Sequence, residues 1–75
     1  MRKIRIGDIV VYQTWSKEKK NATVEGIEIC KRDEKYGRPV ESCDIDKHNG
    51  VLDLSDNHWI YFTQVVKIIK TKNNG

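Results

Sequence analysis

The sequence predicts a small all-β domain, five short strands closing into a barrel with one tight 3-10 turn before the last strand. Three observations carry this. Apolar segments are short and rich in β-branched and aromatic residues, with turn residues between them. No window sustains a 3.6-residue apolar pattern for three turns, which argues against helices. A chain of 75 residues is also small, burying only about 60% of the surface its unfolded form exposes. Strands on so little chain are best protected in a barrel, which closes its own edges.

The first strand is Asp8 to Gln13 (DIVVYQ), preceded by IRIG, and the polar loop TWSKEKKN follows it. The second runs from Ala22 to Lys31 (ATVEGIEICK). Here Val24 has the parity of Glu28, not that of Ile27 and Ile29, so a bulge or bend at Gly26 is needed to bring the three apolar residues to one side. The turn RDEKYGR leads into a third strand, Pro39 to Asp46, and the fourth is Val51 to Ser55. Between these two, Asn49-Gly50 is the strongest short-range hairpin signal, because both central residues of a type I′ turn need φ > 0. A two-residue loop pairs Ile45 with Leu54 and sets Asp46 opposite Asp53. A four-residue loop pairs Ile45 with Leu52, Cys43 with Leu54 and Asp44 with Asp53. The fifth strand begins at His58 to Phe62, and a loop Asp56-Asn57-His58 aligns Leu54 with Ile60 and Leu52 with Phe62. TQVV then interrupts the alternation as a helical turn, and Lys67 to Lys70 completes the sheet. One domain covers residues 1–71, with a frayed tail over 72–75.

The runs IRIGDIVVY, TVEGIEI, GVLDL and WIYFTQVVKII resemble the layout of SH3-like barrels, including relatives of the KOW and Tudor type. The likeness covers about residues 4 to 70. Many such barrels open with a Gly-Asp-x-Val strand, bend the second strand at glycine and place a 3-10 turn before the last strand. The resemblance implies a binding module rather than an enzyme. Small standalone chains of this kind are often accessory proteins of bacteria or their phages.

Two surfaces stand out. If Leu52, Leu54, Ile60 and Phe62 face inward, then Asp44, Asp46, Asp53, Trp59 and Tyr61 face outward together. Paired carboxylates across strands cost a few tenths to ~1 kcal/mol, which folding alone would not select. Carboxylates beside ring faces suit a cation. The first expectation is therefore a non-enzymatic interaction module receiving a basic segment of a partner protein; an ordinary solvated face competes with it. The second surface is Trp15 with Lys17, Lys19 and Lys20, joined by Arg2, Lys3 and Arg5 of the N-terminus. An aromatic among lysines stacks on a base while neutralising phosphates, so the alternative is a nucleic-acid-binding accessory protein. Glu18 and a net charge of only +3 weigh against it.

Other chemistries find little support. Numbered as a calcium loop from Asp44, the chain offers His48 at position 5, Asn49 at 6 and Ser55 at 12, lacking the required glycine and bidentate glutamate. His48, His58 and the aspartates lack the paired spacing of structural zinc sites, so no metal or cofactor is expected. Cys30 and Cys43 point to different sides by parity and should not bond. No nucleophile elbow or phosphate loop is present, so no enzyme is expected. Without a signal peptide or an apolar run near ~20 residues, the expected location is the cytoplasm, off the membrane and with reduced thiols. Open strand edges would permit weak self-association.

Overall fold

The computed structural model describes residues 2–30 and 37–70. Most of the expected turn RDEKYGR and the tail over residues 72–75 lie outside them. The described chain is all-β: β1 (Lys3–Arg5), β2 (Ile9–Gln13), β3 (Lys19–Ile29), β4 (Arg38–Val40), β5 (Ser42–Asp44), β6 (Gly50–Leu54), β7 (Trp59–Tyr61) and β8 (Val65–Ile69). One 3-10 turn, Phe62–Gln64, precedes the last strand as expected. Among the described residues the strands number eight rather than five, and their two sheets do not close into a barrel. The larger sheet runs β7-β6-β3-β2-β8 with β4 added to β3, while β1 and β5 form a separate pair.

β3 is the hub. Its first half pairs with β2, from Gln13↔Lys19 to Ile9↔Thr23, and its second half pairs with β6, from Val24↔Leu54 to Ile29↔Gly50. The register slips between Val24 and Gly26, leaving Glu25 exposed as the extra residue. This is the bulge that the parity demanded: Val24 and Ile27 are both buried, and Ile29 packs against the core. A Cβ at position 26 would stand 2.9 Å from Asp53 Oδ2, the end of an exposed side chain that can turn aside.

Along β6, β7 and the turn after them, Leu52, Leu54, Ile60 and Phe62 are buried while Asp53, Trp59 and Tyr61 are exposed, as expected. The register differs, however: Leu52 faces Ile60 and Asp53 faces Trp59. The offset from the expected alignment is two residues, which leaves every side chain on its face. The loop is Ser55-Asp56-Asn57, closed by the Leu54 N–H donating to His58 O at 2.9 Å, with Asn57 in the left-handed region at φ 66°. The β2–β3 hairpin repeats this three-residue geometry. Its Thr14 N–H donates to Glu18 O at 2.8 Å, and Lys17 takes φ 68°. Lys19, Lys20 and Asn21 therefore belong to β3, and only Trp15-Ser16-Lys17 forms the tip.

The segment around Asn49-Gly50 departs most from expectation. Neither residue takes a positive φ, and β5 pairs with β1 instead of β6. The expected third strand divides into β4 and β5 on different partners. Gly50 lies inside the sheet opposite Ile29, where a Cβ would come within 2.1 Å of the Glu28 carbonyl oxygen and 2.5 Å of the Phe62 ring. Here glycine serves close approach, not a turn. The aspartate pairs are consequently absent. Asp44 lies opposite Lys3, an attractive cross-strand pair.

Basic side chains tie the small sheet to the large one. The Arg2 guanidinium donates to both Asp46 carboxylate oxygens and, at 3.0 Å, to Val65 O at the start of β8. From the other end of β8, Lys70 Nζ reaches Lys3 O and the buried Asp8 carboxylate, the latter at 2.6 Å. Both cysteines are free, and burial pushes the Cys43 thiol pKa upward.

Substituting Gly50→Ala should lower stability by about 2–3 kcal/mol or more, because the added methyl overpacks against backbone and ring together. Urea unfolding followed by circular dichroism checks this; an unchanged midpoint would contradict the close approach at Glu28.

Candidate functional site

The two surfaces expected from the sequence divide and recombine. Asp44 and Asp46 belong to β5 and the turn after it, away from the β6–β7 strands that carry Asp53, Trp59 and Tyr61. Asp46 is held by Arg2, whose guanidinium hydrogen bonds and N–H keep its carboxyl below the usual carboxylate range. The five-residue outer face is thus split. The basic cluster splits too: Arg2 clamps the sheets, Lys3 faces Asp44, and Arg5 remains on β1.

What the fold brings together is Trp15 with Trp59 and Tyr61. The Trp15 and Tyr61 rings stand 6.4 Å apart at 54°, and Trp59 meets Tyr61 edge-on at 5.2 Å. All three are exposed, Trp15 by 78% and Trp59 by 58%. Leaving such rings in water forgoes the stabilisation their burial would give. They line an open groove of about 470 Å³ with Lys20, His58 and Gln64.

The arrangement is built by short-range chemistry. The three-residue tip puts Trp15 at its first position, and the β7 parity sends Trp59 and Tyr61 outward. Gln64 joins the two banks: its Nε2 donates to Gln13 O at 3.0 Å, while its Oε1 accepts from the Tyr61 N–H at 2.9 Å. Beneath the groove the Tyr12 hydroxyl donates to Asp56 Oδ2 at 2.6 Å, and Asp56 Oδ1 accepts from the His58 N–H at 3.1 Å. Burial, reinforced by Asp56, pushes the Tyr12 pKa up to about 12. Burial alone would raise the Asp56 pKa, but the hydrogen bonds from Tyr12 and His58 bring it below the ordinary carboxylate value.

Asp56 is therefore engaged by Tyr12 and His58, and no carboxylate is among the groove-lining residues, which include one lysine, Lys20. Asp53 stands opposite Trp59, outside that lining. A second cleft of about 290 Å³ shares Thr14, Trp15 and Gln64 with the first and adds Lys17. Among the described residues no group of three or more His, Cys, Asp or Glu comes together to hold a metal ion. No helix there is long and apolar enough to cross a membrane. Sequence reasoning found Trp15, Trp59 and Tyr61 but assigned them to separate surfaces. It missed Tyr12, Asp56 and Gln64, whose roles depend on partners distant in the chain.

The Tyr12–Asp56 contact makes stability depend on pH at both ends. Tyr12 has a folded pKa above its unfolded value near 10, so its contribution is complete below about pH 10 and is lost toward pH 12. The depressed Asp56 pKa gives a contribution present above the ordinary carboxylate range and lost as pH falls through its folded value. Tyr12→Phe should cost about 1–2 kcal/mol at neutral pH and flatten the alkaline limb of the urea midpoint plotted against pH. An unaltered alkaline limb would refute the assignment.

Comparison with family models, with characterised proteins and with solved structures returns no match for this chain.

Proposed function

We propose that the protein is a non-enzymatic binding module of SH3-like layout whose groove takes up nucleic acid. The layout is supported by the strand path β8-β2-β3-β6-β7, the bulge at Gly26 and the 3-10 turn before β8. The observation that carries the ligand is the meeting of Trp15, borne on a hairpin with Lys17, Lys19 and Lys20, with Trp59 and Tyr61. Exposed rings offer stacking faces, and the lysines around them neutralise phosphates.

A basic segment of a partner protein is the second reading. One observation favours it: Asp53 directly across from Trp59, a carboxylate beside a ring face of the kind that receives a cation. We rank it second because Asp44 and Asp46 lie away from this face and the groove lining holds Lys20 and no carboxylate.

The two readings differ in their response to salt. If about three phosphates are neutralised, affinity for a single-stranded oligonucleotide should fall roughly tenfold to twentyfold between about 50 and 200 mM salt. Lys20→Gln should reduce the slope of log affinity against log salt by about one. Anisotropy titrations measure both. If a lysine-rich peptide binds and Asp53→Asn abolishes it, while the oligonucleotide fails at every salt concentration, the second reading replaces the first.

A further inference from the structure

Trp15 and Gln64 line both clefts, the larger with Trp59, Tyr61 and Lys20, the smaller with Lys17. Trp15 is the most exposed of the large apolar side chains among the described residues, and its tip is fixed by backbone hydrogen bonds across Thr14. A ring so placed gives nothing to the core. It lines two small grooves, one of which Lys20 also lines and the other Lys17.

Resting on the nucleic-acid reading, we infer that the ligand is an unpaired strand crossing Trp15. One base lies in the larger groove against Trp59 and Tyr61. Its neighbour lies in the smaller groove against Trp15, and the flanking phosphates are reached by Lys20 and Lys17. Two features select this over a duplex. Tyr61 is tilted by 54° from Trp15 and by 83° from Trp59, so the rings on either side of it present separate faces to bases that have left a common stack. The larger groove is also lined by rings and the smaller by Trp15 with Val65 and Val66, apolar surfaces that meet base faces, whereas a duplex exposes only base edges in its grooves and phosphate outside. Stacking of this kind tolerates any base, so weak sequence preference accompanies it. Ring faces stack on the bases of either sugar, so the chemistry fits a DNA or an RNA strand.

The test compares four labelled probes of about twelve nucleotides, long enough to cover a site of this class: oligothymidylate, oligouridylate, a mixed-sequence duplex and an abasic strand of equal charge. At fixed low salt, the two unpaired strands should bind at least roughly tenfold more tightly than the duplex or the abasic strand. Thymidylate and uridylate also differ by the base methyl, so a difference between them identifies the preferred sugar where it persists with oligodeoxyuridylate in place of oligothymidylate. Trp15→Ala and Trp59→Ala should each weaken binding of the unpaired strands by roughly fivefold to hundredfold and leave the abasic strand unaffected. Lys17→Gln with Lys20→Gln should weaken all probes. Both rings lie outside the core, so the alanine variants should still unfold cooperatively, with a modestly lower thermal midpoint for Trp59→Ala, which loses the edge contact with Tyr61; a melting curve confirms that they fold. Equal binding of the abasic strand or the duplex would overturn the base contacts while leaving nucleic-acid binding in place. No binding of any probe would overturn the nucleic-acid reading and this inference together.

Discussion

The bulge in β3 is the constraint on which the rest of the structure depends. One extra residue, Glu25, lets a single strand bury both Val24, opposite Leu54 of β6, and Ile27, opposite Leu52, while its first half pairs with β2. A strand without the bulge would turn one of these side chains into water, because sides alternate strictly along the backbone. β3 could then cover half the core at most. The other strands take their places from it: β2 carries β8, and β6 carries β7. Glycine beside the extra residue leaves room for the Asp53 carboxylate, which lies over that point of the sheet.

The charges of this chain have two distinct uses. Arg2 and Lys70 act within the molecule, fastening the β1–β5 pair to β8 through carboxylates and backbone carbonyls. Such fastening suits a small fold, where apolar burial alone leaves a narrow margin. Lys17, Lys19 and Lys20 lie in and beside the exposed β2–β3 tip. A formal charge of +3 for the whole chain conceals this division. Position in the fold, not abundance, decides which cations meet a ligand.

Legibility in the sequence followed the range of the interaction. The inward row Leu52, Leu54, Ile60 and Phe62, the outward rings and the bulge at Gly26 could all be read from local parity. Asn49-Gly50 could not, because glycine answers two demands and the letters do not say which. Only the chain position of Glu28 and Phe62 in space reveals that this glycine makes room for neighbours. The hairpin tips were also hidden: Lys17 adopts a left-handed conformation with no glycine or asparagine to announce it. Trp15 and Tyr61 are 46 positions apart in the chain, and no periodicity predicts that their rings meet.

The three-residue connection before β7 has a consequence for how such a molecule can vary. The sides of β6 and β7 are fixed by the burial of Leu52, Leu54, Ile60 and Phe62 rather than by the length of the loop between them. A residue added to Ser55-Asp56-Asn57 is therefore taken up as a longer loop, and Trp59 and Tyr61 keep their outward side. The rim of the trough can lengthen without its rings leaving it.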